Sequence, residues 1–479
     1  LHLVRTLRLL RMLKLFRYNR GIFGAAYHDD DSDVLLYATI DLYEADVEDY
    51  YNGYSNICLW PLCHYMLGFF RFERRFQDAY RRVNALFARK LLPLLKDDDL
   101  IWVHDYHLIP LAAELRRAGV ANPVGFFLHV PFPNIDVLRT LPGHIDLLRD
   151  LTRYDVIGFQ TANDVRNFTE GLAREGLLQA KLGHDRFRSG GREITVAAFP
   201  IGIDVDHVIR MAEKSVTGAT VGRTLDGLAG RELILGVDRL DYSKGLPERF
   251  RAFEELLVRY PETRSRLVYM QFAPPTRTGV RAYQDIREEL EQAAGNINGR
   301  FAEPDWIPIR YLNRGFSRSM LMGLMRSAKI GLVTPLRDGM NLVAKEFVAT
   351  RVEGRGALVL SEMAGAAQEL SEARDHERVS VAGIVTKIRQ HQTKNGKAMA
   401  FATIEDIQGM IETLQQGAAD AVAVMEHSHK SSSSTLELAS SAQQALQEMS
   451  AGQSGGPDQQ RTALCRHHIA GCRHWHTDP

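Results

Sequence analysis

The chain has 479 residues, of which 45% are hydrophobic and 25% are charged, so it is long enough for two or three packed domains. Its 59 basic and 59 acidic residues balance, which excludes a global field that attracts nucleic acid or an anionic membrane. Four cysteines in this length indicate a reducing compartment, and a cytoplasmic location is expected. Cys58 and Cys63 stand among apolar residues beside Trp60 and are predicted to be core thiols.

The first segment, residues 1–34, is atypical because basic residues recur at every third position from Arg5 to Arg20. This repeat resembles the voltage-sensing helix of cation channels, and it predicts a helix whose charges spiral around the axis. A membrane span or a signal peptide is not expected, because the cations interrupt every apolar stretch. Two interpretations stay open: a basic helix lying on a membrane or on the protein's own acidic surface, and a non-native or misassembled beginning.

From residue 100 onward, short apolar strands alternate with helical patterns, which predicts a parallel, doubly wound α/β sheet. Residues 199–204 are the predicted crossing to a second domain, and 206–230 read as a looser, polar connection. The alternation then repeats, so two Rossmann-like domains are expected to face each other across a cleft. The predicted strands lie at residues 101–104, 124–129, 155–159, 194–199, 232–237, 266–272, 307–312, 329–334 and 357–361.

Residues 334–348 (TPLRDGMNLVAKEFV) are predicted to form the end of a buried strand, a tight loop and the first turns of a helix. A loop at the carboxyl end of a parallel strand that opens into a helix is the usual anion site of α/β proteins. The carboxylates of Asp338 and Glu346 could bind hydroxyl groups, while the amides of residues 341–343 face a phosphate. The alternative, that Asp338 is only a turn residue and Glu346 a solvated helix residue, stays open.

A second stretch, residues 236–250 (GVDRLDYSKGLPERF), predicts another strand, loop and helix at the same edge of the sheet. Arg239 and Lys244 lie five positions apart in this loop and could both reach a diphosphate. A solvated surface pair is the alternative for these two cations.

Eight stretches between Tyr37 and Leu370 resemble the trehalose-6-phosphate synthases in order along the chain. These are retaining glycosyltransferases of the two-domain glycosyltransferase-B fold, which transfer glucose from UDP-glucose to glucose-6-phosphate. Besides the two stretches above, the matching segments are YYNGYSNICLWPLCHY, IWVHDYHLIPLAAELR, GFFLHVPFP, YDVIGFQT, FPIGID and LVLSEMAGAAQEL.

The resemblance implies roles for particular residues and a reaction with retention, without a covalent enzyme intermediate, a cofactor or a metal. The catalytic residues it implies are Asp338, His129, Arg239 and Lys244. The donor-binding residues it implies are Arg239, Lys244, Asp338, Gly339, Met340, Asn341, Leu342, Val343, Glu346 and His129. The acceptor-binding residues it implies are Tyr51, Trp60, Asp105 and Arg277.

After residue 370 the resemblance stops, and residues 371–414 resemble part of the oligonucleotide-binding domain of bacterial DNA polymerase III alpha subunits. Residues 379–388 and 399–404 alternate like half-buried strands around Asn395-Gly396, which predicts a β-hairpin. Four cations could contact a nucleic-acid backbone, although solvated strand faces explain them equally well. They are Lys387, Arg389, Lys394 and Lys397. Nucleic acid is therefore not expected as a partner. Residues 415–479 are predicted to be disordered, and their histidines and cysteines fit no standard zinc pattern.

The predicted domains are an acceptor domain at 35–204 with an incomplete start and a truncated nucleotide-sugar domain at 205–370. The resemblance implies a mobile glycine-containing loop before Tyr37 and a terminal helix that this chain lacks, so weak or absent turnover is expected. UDP-glucose and glucose-6-phosphate are the expected ligands, and a homo-oligomer stays open. The alternatives are a catalytically silent regulatory relative, or a fusion with weak binding of single-stranded nucleic acid.

Overall fold

The computed structural model describes residues 10–13, 22–28, 35–277, 279–351, 356–367, 381–382, 387–392 and 398–403. Contacts of side chains are described between residues 40 and 367. The chain divides into two compact units, Leu1–Val385 and Thr386–Pro479. The first unit contains two large sheets, which divide it into a first half, up to residue 204, and a second half, from residue 205.

The first half is built on a sheet of seven strands in the order β1-β4-β5-β6-β9-β8-β7. Strands β1, β4, β5, β6 and β9 are parallel, and β8 and β7 continue the sheet as antiparallel strands. Strands β2 and β3 form a separate antiparallel pair. The bounds are β1 (Leu10–Leu13), β2 (Ile22–His28), β3 (Leu35–Asp41), β4 (Leu100–His104), β5 (Val124–Phe127), β6 (Val156–Phe159), β7 (Leu178–Lys181), β8 (Arg186–Ser189) and β9 (Arg192–Ala198).

The helix predicted for the basic N-terminal segment is wrong at Leu10–Leu13, where the backbone is a strand. Leu10 pairs with Leu100 and Leu13 with Val103 in a parallel ladder. The edge of a parallel sheet offers unpaired N–H and C=O groups, and pairing with them satisfies the segment's own backbone. Residues 1–9 and 14–21, which carry the rest of the basic repeat, lie outside the described residues.

Helices pack beside the strands of the first half, as the alternation predicts. The helix predicted near residues 135–151 is divided in two, because Gly143 adopts a left-handed φ of 78° between the parts. A thirteen-residue π-helix, Val47–Leu59, precedes Trp60. The helices are α1 (Glu44–Asp46), α2 (Trp60–Cys63), α3 (Arg74–Leu91), α4 (Leu111–Arg117), α5 (Ile135–Leu138), α6 (His144–Leu151) and α7 (Ala162–Arg174).

The second half is built on a parallel sheet of six strands in the order β12-β11-β10-β13-β14-β15, which confirms the predicted second doubly wound sheet. The last strand is very short and pairs with β14 through Val381 and Ala382. The bounds are β10 (Glu232–Val237), β11 (Leu267–Phe272), β12 (Ile309–Leu312), β13 (Ile330–Val333), β14 (Ala357–Leu360) and β15 (Val381–Ala382).

The loose connection predicted at residues 206–230 is wrong, because two helices occupy most of it. Asp204 caps the first of them by accepting a hydrogen bond from the His207 backbone N–H at 2.9 Å. Val208 and Ala212 are buried on one face of the first helix. Two buried apolar residues in a polar sequence are too few to predict an amphipathic helix. The helices of this half are α8 (Val205–Val216), α9 (Ala219–Asp226), α10 (Leu246–Arg259), α11 (Arg281–Phe301), α12 (Arg318–Ser327) and α13 (Leu342–Ala349).

The second unit contains a hairpin of β16 (Lys387–Gln392) and β17 (Ala398–Thr403). Lys387 pairs with Thr403 and Gln392 with Ala398, which confirms the predicted antiparallel pairing. The turn residues 393–397 and residues 404–479 lie outside the described residues. Among the helices that the structure does describe, none is long and apolar enough to span a membrane.

A buried arginine ties together the strand ends of the second half. The guanidinium of Arg249 forms an ion pair with Asp238, and both side chains are 1% exposed. The same group donates to the Lys244 carbonyl at 3.0 Å and to the Thr334 hydroxyl at 2.9 Å. Gln271 Oε1 accepts a further bond at 3.3 Å. The loops that follow β10 and β13 are therefore fixed relative to each other by one cation.

We expect Arg249→Met to lower the free energy of unfolding by about 3–5 kcal/mol, because Asp238 is then left buried without a countercharge. Arg251→Met, on the same helix at a side chain that is 62% exposed, is the matched control and should change stability by less than about 0.5 kcal/mol. Urea unfolding followed by circular dichroism measures both. Equal losses for the two variants would contradict the assigned role of the buried pair.

Candidate active site

The predicted site residues stand at the carboxyl ends of strands in both halves. Asp105 directly follows β4, and His129 comes two residues after β5. Arg239, Arg277 and Asp338 lie in the loops after β10, β11 and β13. The structure brings these loops into contact across the cleft between the two sheets, which is where ligands of open α/β sheets bind.

The predicted donor loops meet at a buried ion pair. Lys244 Nζ lies 2.5 Å from Asp338 Oδ2, and the side chains are 9% and 15% exposed. Asn341 Nδ2 donates to the same carboxylate oxygen at 3.0 Å. Burial alone would raise the pKa of Asp338, but the charge and hydrogen bond of Lys244 outweigh it and lower that pKa. Asp338 is therefore an anion that holds the lysine in place.

The start of helix α13 has the geometry expected for an anion site. Asn341 adopts a left-handed φ of 77°, and its side-chain oxygen accepts from the Ala344 N–H at 3.0 Å. The amides of Leu342 and Val343 lie in the first turn, where a helix has no internal partner for its N–H groups. Further along, Glu346 accepts from Arg318 Nη2 at 2.7 Å. Met340 is buried, with its carbonyl accepting from the Ala366 N–H at 2.7 Å.

At Gly339 the backbones of the two halves come very close together. A Cβ added to Gly339 would lie 2.2 Å from the His129 carbonyl oxygen, far inside van der Waals contact. Across the same loop, a Cβ added to Gly365 would lie 1.9 Å from the Gly339 carbonyl oxygen. Neither position can carry a side chain without moving backbone, so the loop after β13 rests directly on the loop after β5.

The predicted acceptor residues Trp60 and Arg277 form one stacked unit. The guanidinium carbon of Arg277 lies 3.7 Å from the indole centroid of Trp60, and Arg239 lies over the same ring at 5.6 Å. Arg277 Nη2 donates to the Tyr106 hydroxyl at 3.1 Å and Nη1 to the Tyr283 hydroxyl at 2.5 Å. Tyr106 belongs to the first half and Tyr283 to the second, so this arginine bridges the cleft.

Asp241 lies beneath this unit and was not identified from the sequence. Its carboxylate is fully buried and accepts from Arg277 Nη1 at 2.9 Å and from Trp60 Nε1 at 3.4 Å. Burial would raise the pKa of Asp241, but the charges of Arg277, Arg239 and Lys244 lower it overall. A charged carboxylate thus contacts two predicted acceptor residues. The sequence offered one indication of a site role for Asp241, which is that it lies between Arg239 and Lys244 in residues 236–250.

The other two predicted acceptor residues lie nearby. Tyr51 stacks against His107 with ring centroids 5.6 Å apart. Asp105 adopts a φ of 72°, and burial raises the pKa of its carboxyl despite the opposing effects of His129 and of backbone amides. His129, predicted as a donor contact, has its Nε2 atom 2.9 Å from His104 Nδ1. These residues line the same end of the first sheet as Trp60.

His64, also absent from the predicted site, is a buried histidine that packs against Trp60. Its ring stacks on Trp60 at 4.1 Å, and Nδ1 lies 2.7 Å from the Trp60 carbonyl oxygen. That contact makes Nδ1 the donor in the neutral ring and leaves Nε2 as an acceptor. Nε2 is buried and has no hydrogen-bond partner among the described residues. Burial, opposed in part by Asp241, lowers the pKa of His64 to about 4.

The thiols of Cys58 and Cys63 are free and buried, which confirms their prediction as core residues. Within the described part of the chain, no three histidine, cysteine, aspartate or glutamate side chains are arranged to hold a metal ion. The histidines and cysteines after residue 464 lie outside that part.

Two facing Rossmann-like sheets with converging loops at their carboxyl edges define a glycosyltransferase of the B fold. Residues 25–375 match the model of glycosyltransferase family 20, and the chain belongs to this family.

Named relatives extend this assignment. The trehalose-6-phosphate synthase of Sinorhizobium fredii is 48% identical over 340 residues, which are 71% of this chain and 73% of that protein. The UDP-forming alpha,alpha-trehalose-phosphate synthase of Burkholderia xenovorans, solved in complex with glucose-6-phosphate, is 43% identical with a TM-score of 0.71. The similarity covers 78% of this chain and 83% of that one. The E. coli structure bound with UDP-2-fluoro glucose is 42% identical with a TM-score of 0.69, covering 78% and 80%.

The buried His64 predicts a pH dependence of stability. The pKa of His64 in the folded chain is about 4, below the ordinary 6.5. Between these two pH values the unfolded chain binds a proton at His64, whereas the folded chain does not. The free energy of unfolding should therefore fall by about 3 kcal/mol through this group as the pH drops from 7 to about 4. His64→Gln should lose this part of the pH dependence in urea titrations.

The exposed His207 provides the matched control, because His207→Gln removes a histidine without removing a buried ring. It should keep the pH dependence of the original chain. Identical pH dependence in the His64 variant would contradict a neutral buried His64.

Proposed function

We propose that this chain is a UDP-forming trehalose-6-phosphate synthase, which transfers a glucosyl group from UDP-glucose to glucose-6-phosphate with retention at the anomeric carbon. Its membership of glycosyltransferase family 20 supports this, as do relatives that carry this name at 42–48% identity. One solved relative holds glucose-6-phosphate and another holds UDP-2-fluoro glucose.

The observation that carries the proposal is the position of two arginines on one indole ring. Arg239 comes from the loop after β10 and Arg277 from the loop after β11, and both lie over Trp60. Two cations at one aromatic ring suit two neighbouring anionic groups, a diphosphate and a phosphate monoester. The donor's diphosphate would bind Arg239, and the acceptor's phosphate would bind Arg277.

The donor half of the site would work by charge and by hydrogen bonding. Lys244, held by Asp338 at 2.5 Å, would bind the diphosphate together with Arg239 and the amides of Leu342 and Val343. Asp338 and His129 would hold glucosyl hydroxyls, and Glu346 the hydroxyls of the uridine ribose. Gly339 and Met340 would shape the loop around the sugar.

In the reaction, the bond between the anomeric carbon and the diphosphate oxygen breaks as the acceptor hydroxyl oxygen forms a new bond on the same face. The hydroxyl proton passes to an oxygen of the leaving diphosphate, and UDP carries away the electron pair. Arg239 and Lys244 stabilise the charge that develops there. Tyr51, Trp60, Asp105 and Arg277 orient the acceptor, so positioning supplies the remaining rate enhancement.

A catalytically silent regulatory relative is the second candidate, and the charges of the site argue against it. Such a chain would be expected to lose cations or carboxylates of the donor loops. Here Arg239, Lys244, Asp338 and Glu346 are all present, and Lys244 forms an ion pair with Asp338.

Calorimetry with UDP tests the donor site. Arg239→Ala combined with Lys244→Ala should weaken UDP binding by about 100-fold or more, because each charged hydrogen bond to a desolvated phosphate contributes about 1.5–3 kcal/mol. Arg251→Ala, at an exposed side chain of helix α10, is the control and should bind UDP like the original chain. Equal affinity in all three proteins would reject the donor assignment.

Release of UDP from UDP-glucose in the presence of glucose-6-phosphate tests the reaction itself. Asp338→Asn should lower kcat by about 100- to 1000-fold, because the carboxylate no longer holds Lys244 or a sugar hydroxyl. Asp305→Asn, which changes an exposed aspartate far from the cleft, is the control. The weak turnover predicted from the sequence would be contradicted by a kcat in the usual range of roughly 1–1000 per second.

A further inference from the structure

We infer that Asp241 is the positioning residue of the acceptor subsite, which aims Arg277 at the phosphate and so sets the preference for a phosphorylated sugar. The inference rests on the proposed function, since it concerns the same acceptor. It assigns to one buried carboxylate the orientation of two side chains, Trp60 and Arg277.

Asp241 uses both carboxylate oxygens. Oδ1 accepts from the Ser243 N–H at 3.0 Å, from the Ser243 hydroxyl at 2.9 Å and from Trp60 Nε1 at 3.4 Å. Oδ2 accepts from Arg277 Nη1 at 2.9 Å and from the Tyr283 hydroxyl at 3.2 Å. The bonds to Ser243 fix the carboxylate to its own loop. The other three fix the indole, the guanidinium and the phenol relative to that loop.

The contacts of Arg277 leave one defined edge of its guanidinium for a ligand. An arginine has five N–H donors in a planar fork. Nη1 donates to Asp241 and to Tyr283, and Nη2 donates once, to Tyr106. The N–H of Nε and the second N–H of Nη2 have no partner among the described residues. Nε and Nη2 share one edge of the planar fork, and such an edge is the arrangement that binds two oxygens of one phosphate.

The backbone of Arg277 is consistent with a residue held for function. Its φ is 47°, a left-handed conformation that residues other than glycine rarely adopt. Such a conformation persists where surrounding contacts over-determine it, and it is concentrated at ligand sites. Here the side chain is 6% exposed and is clamped between Trp60 below and Asp241 at its edge.

Removing the carboxylate charge should free the guanidinium to turn. In Asp241→Asn one oxygen becomes an amide N–H₂, which cannot accept from Arg277 and instead places a donor against a donor. Ser243 and Trp60 can still bond to the remaining oxygen. The substitution therefore affects mainly Arg277. The phosphate should lose the two pre-aligned hydrogen bonds from this guanidinium.

Calorimetry with glucose-6-phosphate and steady-state kinetics test the inference. We expect Asp241→Asn to weaken glucose-6-phosphate binding and to raise its KM by about 10- to 100-fold, while the KM for UDP-glucose changes by less than about threefold. The ratio of kcat/KM for glucose-6-phosphate over glucose should fall by a similar factor. A merely structural role would not move this ratio.

Two further variants distinguish a positioning role of Asp241 from a general loss of stability. Tyr283→Phe removes only the hydroxyl that bonds to both Arg277 and Asp241, and it should shift the same ratio in the same direction by a smaller factor. Asp150→Asn changes another buried, arginine-paired carboxylate remote from the cleft. It controls for lost stability and should leave the ratio unchanged.

The outcomes separate the two proposals. Turnover by the original chain, with an unchanged ratio in Asp241→Asn and Tyr283→Phe, would overturn the role of Asp241 and leave the synthase function standing. An equal change of both KM values would also overturn it. If the original chain neither binds glucose-6-phosphate nor transfers to it, the proposed function fails and the inference fails with it.

Discussion

The close backbone contact at Gly339 is the constraint on which the site depends. Residue 339 has no room for a Cβ, because the His129 carbonyl oxygen would lie 2.2 Å away, and Gly365 packs equally closely on its other side. A side chain there would force the loop after β13 away from the loop after β5. The distances that join Asp241 to Trp60, and Arg277 to Tyr106, require the two halves at this separation.

Buried charges occupy the cleft, and three carboxylates there or directly behind it are each paired with a cation. Asp338 holds Lys244, Asp241 holds Arg277, and Asp238 holds Arg249 behind them. A buried charge without a partner would cost several kcal/mol, so each pair holds its two side chains together. The main effect of the three pairs is therefore to make the loops rigid, and they add little net stability. A rigid set of cations can meet phosphate groups with little reorganisation. The polar interior of this site is therefore better explained by ligand binding than by stability.

In the second half, a buried side chain of helix α10 holds the loops at the strand ends. Arg249 contacts the carbonyl of Lys244 and the hydroxyl of Thr334, so the loop after β10 and the start of the loop after β13 are fixed by the same side chain. Helix α13 then begins at Asn341, whose side chain both caps the helix and reaches Asp338. Hydrogen bonds from buried side chains to backbone and side-chain atoms thus hold the loops in place on the sheet.

The sequence by itself determined the two doubly wound sheets, the order of their elements and the loops that carry the site, because apolar periodicity and strand-loop-helix patterns are local signals. Local signals misjudged residues 10–13 and 206–230, where pairing with a sheet edge and a sparse buried stripe decided the structure. Tertiary structure alone decided the contacts of Asp241, Tyr106 and His64. Asp241 and Trp60 are 181 positions apart in the chain, and Arg277 and Tyr106 are 171 apart. No pattern within one segment can encode such contacts, since they exist only once the two sheets have folded and closed on each other.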